Sequence, residues 1–506
     1  MSLSGSRQLV TRAGVLLLAA IIAGASGASE PDVIETPDQS LQQVASLDDD
    51  DIPPSPDDDD SQTQSRLSAL EAEFAALRSR LTASDPIAPP PAKPSFPTVA
   101  VNGAFQADTY WFGQDDANRQ TLGFYDPLNV GGLTPAELAA LGDLQDGSQF
   151  RRARLSAKGS VAENVNYFFQ MDFGFFGRPT FTDVWMEVTD VPVVSNVRVG
   201  QWKHPFSLEV VSSYRYTTFL ERSSLFQAFV PFRHIGVGTY DHNDDETMTW
   251  AFSVLKPGND QFGGDIGDSG GYSSAGRVTW LPFYADINGS YNYLHIGGAY
   301  WAGTPSNHRF RYASIPEGFV GTFGAAPLGS SKVPVPSLSH GTPPFVDTGV
   351  LSINSFAHFG LEAMWVNGPF SVQSEAMTAW ADPVTGDTLN FGGMYLLGSW
   401  LVTGESRPYD PKTGTYDRII PKRPFIAIGD CDRGPGAWEV AARFSTIDLN
   451  SGTVRGGQMT DFTAGVNWYL NGFTKMQFNY VRSFLDRDPI GDSHADIYAI
   501  RAQVDF

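Results

Sequence analysis

Three basic residues recur on a short even spacing: Arg152, Arg154 and Lys158, with Ser156 between them. A guanidinium is a planar fork of donors that grips an oxyanion at two points, and a lysine adds a point charge. Successive side chains of an extended strand point to opposite faces, so this spacing puts all four on one side. The other side carries Ala153, Leu155 and Ala157. The chemistry on offer is reversible anion binding along a basic track. Arg198 sits between Val197 and Val199 and by the same logic faces water. Arg309 and Arg311 are two apart, hence on one side of whatever strand they join. Covalent chemistry has no comparable support. No Gly-x-Ser-x-Gly or His-Glu-x-x-His occurs, and the 8 histidines are scattered. His204 beside Lys203, and His234 beside Arg233, have no catalytic partner that the sequence names. Cys431 is the single cysteine, so no internal disulfide and no Cys/His metal cluster is expected, and no cofactor.

A charged track needs a wall whose two faces differ, and the chain from Thr98 onward supplies one. Val165, Tyr167, Phe169, Met171, Phe173 and Phe175 share one face, against Asn166, Gln170, Asp172 and Gly174. Trp438, Val440, Ala442 and Phe444 alternate with Glu439, Ala441, Arg443 and Ser445. Phe462 to Leu470 and Thr474 to Tyr480 repeat the pattern. Strict alternation marks strands with one apolar and one polar face. Trp400, Trp468, Tyr469 and Tyr480 stand at strand ends, where interfacial girdles use aromatics. The last strand is the clearest: Tyr498, Ile500, Ala502, Val504 and Phe506 oppose Ala499, Arg501, Gln503 and Asp505. A terminal aromatic on an amphipathic strand is what outer-membrane barrels present to their assembly machinery. Residues 98–506 suffice for an all-β, antiparallel transmembrane barrel of 16 strands, with 18 as the alternative, at roughly ten residues per strand plus outer loops. A barrel of that size encloses an aqueous lumen.

The N-terminal part is different. Arg7 and Arg12 precede an apolar run from Ala13 to Ala25, followed by the small residues Ser26, Gly27 and Ala28. Residues 1–28 therefore read as a secretory signal peptide, which implies export. Residues 29–60 hold two four-aspartate runs around a proline-rich spacer and read as a disordered acidic segment without an EF-hand pattern. Residues 61–83 carry Leu67, Leu70, Phe74, Leu77 and Leu81 at spacings of 3, 4, 3 and 4, a short coiled-coil seam suited to holding an oligomer. Residues 84–97 form a proline-rich linker. No later stretch is apolar enough for a membrane helix. Acidic residues outnumber basic ones 56 to 34, a net charge of −22, which excludes the basic footprint of a nucleic-acid partner.

Residues 150–240 resemble the phosphate-selective porin O and P family. The resemblance rests on Phe150-Arg151-Arg152-Ala153-Arg154-Leu155 and on the stretch from Val199 through Gln201-Trp202-Lys203-His204-Pro205-Phe206 to Glu209. Phe219-Leu220-Glu221-Arg222 and Arg233-His234-Ile235-Gly236 follow. Thr403-Gly404-Glu405-Ser406-Arg407, Gly436-Ala437-Trp438-Glu439 and Gly465-Val466-Asn467-Trp468-Tyr469 continue it in the same order. The resemblance implies a homotrimer of 16-stranded barrels contacting outer-membrane lipid and passing small anions, phosphate or polyphosphate among them. It matches Arg152 to a basic lumen residue of the family and Arg215 to a position where phosphate-selective members carry a lysine. It also places Arg151 in an arginine ladder leading inward, whereas strict alternation points Arg151 outward. The strand from Asn164 to Phe173 lacks a lysine that those members place in this region. Six basic and 15 acidic residues precede Thr98, so the barrel part itself is acidic, at net −13. The rival readings are a general or weakly selective porin, a structural outer-membrane anchor, a barrel enzyme and a secreted β-sandwich.

Overall fold

The computed structural model describes residues 60–82, 95–126, 128–129, 131–174, 179–257, 271–321, 341–426 and 433–506. The signal-peptide region, both aspartate runs except Asp60, most of the proline-rich linker, Phe175 and Cys431 lie outside the described residues. Helix α1 spans Asp60–Thr82 and belongs to a unit separate from the barrel. Along its seam Leu67, Leu70 and Phe74 are 59%, 61% and 73% exposed, so the single chain leaves this apolar stripe uncovered.

Sixteen long strands form the barrel. They are β1 (Ala100–Gln114), β2 (Gly147–Ala162), β3 (Val165–Asp172), β4 (Thr180–Val191), β5 (Ser195–Lys203) and β6 (Arg233–His242). Then come β7 (Met248–Leu255), β8 (Ser273–Ile287), β9 (Ser290–Gly303), β10 (Leu351–Asn367) and β11 (Phe370–Pro383). The last five are β12 (Leu389–Leu401), β13 (Ala437–Ser451), β14 (Val454–Tyr469), β15 (Thr474–Arg487) and β16 (Gly491–Asp505). Each pairs antiparallel with its sequence neighbours, and β16 returns to β1 from Ala104↔Asp505 to Gln114↔Ala495. Closure leaves no free sheet edge, which a lipid environment requires. Phe506 exchanges backbone hydrogen bonds with Gly103 at 2.9 and 3.0 Å. Its ring covers Gly103, with Cζ 2.3 Å from where a Cβ on residue 103 would stand, so any larger residue there displaces the ring.

The two faces are inverted relative to a soluble sheet. Buried positions on β13–β16 include Glu439, Arg443, Asp461, Asn467, Lys475, Gln477, Arg501 and Gln503. Phe444, Phe462, Phe478 and Tyr498 point outward and are 42–54% exposed. Polar inside and apolar outside is the arrangement of a membrane barrel and not of a secreted sandwich. Aromatics ring the end that carries Phe506: Phe370 stacks on Trp400 at 5.9 Å, and Trp438 on Trp468 at 5.1 Å. Toward the other end Tyr480 and Tyr498 meet at 5.2 Å, below the outward ion pair Arg482–Asp496. Tyr469 is a correction to the girdle expected above. It is buried on the lumen side and donates its hydroxyl to Glu439 at 2.7 Å, because residue 469 shares the face of Asn467. The third strand is shorter than the alternation suggests, ending at Asp172.

Connections at the Phe506 end are short turns, such as 163–164, 288–289 and 368–369, which mark it as the periplasmic end. One exception there is the long connection 402–436. At the opposite end 204–232 and 304–350 are the long loops nearest the lumen.

Candidate functional site

The 204–232 connection and the described parts of 304–350 and 402–436 turn inward. From β5, the chain passes through α2 (Leu208–Val211), whose N-cap Ser207 accepts from Val210 N–H, and then α3 (Leu225–Phe229). Phe206, Val210, Leu225 and Phe229 pack with Trp301, Phe310, Tyr312 and Phe345 in one apolar cluster inside the barrel. Lys203 closes the end of α2 by donating Nζ to the carbonyls of Val210, Val211 and Ser212 at 2.7–2.9 Å. From the periplasmic end, Tyr409 and Tyr416 join Leu208, Tyr293 and Met364 in a second cluster. Arg277 donates to the Gly414 carbonyl at 2.8 Å, and Tyr409 meets His295 at 2.6 Å. Charges on the β8–β16 wall are consequently sealed: the side chains of Arg443 and Arg501 are 0% exposed. Along β2–β6 burial is uneven: the side chains of Arg151 and Arg198 are 19% and 22% exposed, while Arg152 is buried at 6%.

A β-bulge builds the centre of that side. Gln106 of β1 pairs with Arg152, but Ala107 pairs with Phe150, so Arg151 is an extra residue in β2. A bulge re-aims a side chain without changing the face of the strand beyond it. Phe150 stays outward, at 62% exposed, while Arg151 and Arg152 both turn inward. The sequence conflict over Arg151 is thus settled: alternation holds on both sides of the bulge and fails at it. Arg151 donates Nε and Nη2 to Glu221 at 2.8 and 3.0 Å and lies over the Phe319 ring. Arg501 shares Glu221 at 2.9 Å and also holds Asp108 at 2.6 Å. Burial pushes the Glu221 carboxyl up, but the guanidiniums of Arg151, Arg152 and Arg501 outweigh it and hold it at about 2.

Arg152, Arg154 and Arg215 gather on one ring, at 4.9, 4.4 and 5.9 Å from the centroid of Tyr214. Arg152 donates to Gln106 Oε1 at 2.6 Å, Gln106 to Gln503 at 2.6 Å, and Gln503 to the Arg215 carbonyl at 3.1 Å. Among the described residues Arg152 has no carboxylate within ion-pair distance, and Arg215 has only Asp505, at 4.0 Å. The buried Nε of Arg215 has no hydrogen-bond partner among them. Arg215 also lines a cleft with Arg418, Lys475 and Gln503 near the periplasmic end. Chemically the cluster offers donors and positive charge to an anion and contains no nucleophile.

The structure therefore brings Arg151, Arg152, Arg154 and Arg215 together. Arg154 is paired with Asp172 at 2.7 Å. Lys158 lies farther down the same face of β2, exposed, opposite Ala100. Arg198 is a lumen residue, as expected, but is paired with Glu187 at 2.6 Å and packed on Trp185 at 4.0 Å. Arg309 and Arg311 are not in the cluster. They lie in the 304–350 loop, Arg309 exposed beside Ser352 and Arg311 paired with Asp347 at 2.6 Å. The residues that sequence reasoning passed over are Arg501, Arg233 (paired with Asp183 at 2.6 Å) and Lys475. Alternation in the last strand already put Arg501 on the polar face, so that one was within reach.

A closed sixteen-stranded antiparallel barrel, apolar outside and polar within, narrowed by inward loops, defines an outer-membrane channel of the porin class. Residues 139–506 match the model of the phosphate-selective porin O and P family. The chain belongs to that family and is an outer-membrane porin channel. It is 24% identical over 384 residues to Porin O of Pseudomonas aeruginosa, covering 72% of this chain and 83% of that one. A Caulobacter vibrioides protein of unassigned function is 25% identical over 444 residues, 83% of this chain and 79% of that one. Among solved structures it is similar to an anion-selective porin from Comamonas acidovorans, at 11% identity and a TM-score of 0.48, covering 81% of this chain and 99% of that one.

Proposed function

We propose that this porin passes small oxyanions, phosphate among them, by passive diffusion past a constriction lined by Arg151, Arg152, Arg154 and Arg215. The observation that carries this reading is the meeting of Arg152 and Arg215 beside Tyr214, where neither has a carboxylate closer than 4.0 Å among the described residues. An under-neutralised guanidinium is the group an oxyanion binds. Lys158 continues the track toward the periplasm. Arg198 is a secondary wall contact, and Arg309 and Arg311 serve at the outer loops. Membership of a family described as phosphate-selective supports phosphate as the solute.

A weakly selective porin is the second reading. It is favoured by the pairing of Arg151, Arg154 and Arg198 with Glu221, Asp172 and Glu187. Reversal potential in a salt gradient, repeated with phosphate, separates the two. Anion preference with phosphate block of the chloride current supports the first, and a ratio near unity without block supports the second. The channel works as a homotrimer in this proposal. The exposed seam of α1 associates as a coiled coil with its copies, and residues 1–28 are removed on export.

A further inference from the structure

Behind the constriction, away from the basic track, four carboxylates crowd one arginine. Arg443 of β13 donates Nη1 to Glu209 of α2 at 3.0 Å and Nε to Glu317 of the described stretch 304–321 at 2.8 Å. Its Nη2 reaches the Glu221 carbonyl at 3.0 Å. One wall residue therefore pins both inward loops. Glu317 also accepts from Ser445 and Thr463 at 2.5 Å each and from Ser224 N–H at 3.3 Å, and its own N–H donates to Asp461 of β14 at 3.1 Å. The Glu209 N–H donates to Glu375 of β11 at 2.8 Å, and Tyr395 donates to the same oxygen at 2.7 Å. Glu209, Glu317, Glu375 and Asp461 are all at most 5% exposed.

The charges facing this chain of acids do not balance. Arg443 serves Glu209 and Glu317, and Arg222 reaches only the Glu209 carbonyl, at 2.9 Å. Beyond Glu375 lies another acid, Glu362, which Arg277 and His295 already occupy. Glu221, next to Arg443 and Arg222, is matched by its own guanidiniums Arg151 and Arg501, and Ser207, Tyr395, Tyr416 and Ser483 are neutral neighbours. Four buried carboxylates with two guanidiniums cannot all be ionised, because a sealed unpaired ion takes up a proton instead. Asp461 Oδ1 and Ser483 Oγ fit this. Both are buried, and their only polar company is each other: the Ser483 hydroxyl is a neutral donor and brings no positive charge to the Asp461 carboxyl. Burial likewise pushes the Glu209 carboxyl up, against the pull of Arg443.

We infer that this cluster is a proton-holding latch. Protonated, it seats both loops on the β11–β15 wall; losing its protons as pH rises, it repels them and widens the channel. The inference concerns the aperture and stands whatever the solute. Single-channel conductance of the full-length porin in planar bilayers, scaled to bulk conductivity, is measured from about pH 5 to about pH 9. The expected result is a reversible, several-fold rise toward alkaline pH. It should vanish in Asp461→Asn with Glu375→Gln, where neutral amides copy the protonated acids at every pH. A flat wild-type profile overturns the latch, as does an unchanged pH response in the double variant. Should the double variant fail to insert, Asp461→Asn alone is read in the same way.

Discussion

Replacing Glu221 by Gln should shift the channel further toward anions. This carboxylate is shared by Arg151 and Arg501 and is the main counter-charge next to Arg152. It is held at about 2, against roughly 4.3 for an ordinary glutamate, which corresponds to about 3 kcal/mol in favour of the ionised, loop-pinning form. A carboxylate held low stabilises the fold above the ordinary carboxylate range, and this is lost only as pH falls through about 2. Removing the charge forfeits that contribution, in line with the roughly 3–5 kcal/mol lost when one partner of a buried pair is removed. The electrostatic effect on permeation is separable. An anion at Arg152, some ~6 Å from the lost charge, gains about 0.7 kcal/mol at the dielectric of water, or roughly threefold in occupancy. In a narrow lumen of effective dielectric ~20 the gain is about four times larger in energy. The anion-to-cation permeability ratio, read from the reversal potential in a potassium chloride gradient, should therefore rise threefold or more by this estimate. Heat-modifiable migration on gels confirms that the barrel has folded. An unchanged ratio in a folded variant, or a shift toward cations, would show that Glu221 and its arginines do not face the ion path.

Arg152→Ala and Arg215→Ala should each lower anion preference and weaken phosphate block, whereas Arg309→Ala, out on the loop, should leave both unchanged. If Arg152→Ala leaves block intact, the site is elsewhere. Deleting Arg151 should still allow the barrel to fold, because removing the bulge leaves Phe150 outward and Arg152 inward, although Glu221 then keeps only Arg501. Deleting Ala153 instead should impair heat-modifiable folding, since losing the bulge from that side puts Arg152 in the lipid-facing place opposite Phe105; equal tolerance of both would refute the bulge. Leu70→Asp with Phe74→Asp should lower the temperature at which the oligomer dissociates in detergent, and an unchanged dissociation temperature would remove α1 from assembly.

The barrel was legible because lipid forces a simple rule on each strand. The Tyr498–Phe506 pattern, applied backward, sorts lumen from lipid at Arg152, Arg198 and Arg501 alike. The rule breaks where the backbone departs from regular pairing. Arg151 is such a place, since a bulge depends on the partner strand and only the register with Gln106 and Ala107 reveals it. Lumen faces also proved less polar than the rule assumes: Phe168 stacks on Trp185 inside the barrel at 5.6 Å. The inward folding of 402–436 left no periodic trace, because its contacts are made across the barrel, by Arg407 to Thr218 and Glu439 and by Tyr409 to His295. Loop residues such as Arg309 had a spacing but no wall to refer it to.

An acidic barrel and the proposed anion path are compatible because a carboxylate that already holds a guanidinium adds little net field at the pore. Glu209, Glu317, Glu375 and Asp461 lie sealed behind the inward loops. Asp244 and Asp245 are spent on an exposed turn. On the β2–β6 wall, Asp172, Asp183 and Glu187 each hold one guanidinium, Arg154, Arg233 and Arg198. Arg152 and Arg215 are what remains in excess. This division suits transport better than a row of unpaired arginines. Conduction needs sites weak enough to release, and a guanidinium already shared with a carboxylate offers an anion a partial hold. In the proposed path the under-neutralised pair makes the deep site, and the paired arginines on either side make it possible to leave. On this argument, stripping wall carboxylates should deepen binding while slowing flux, so that stronger selectivity and lower conductance arrive together.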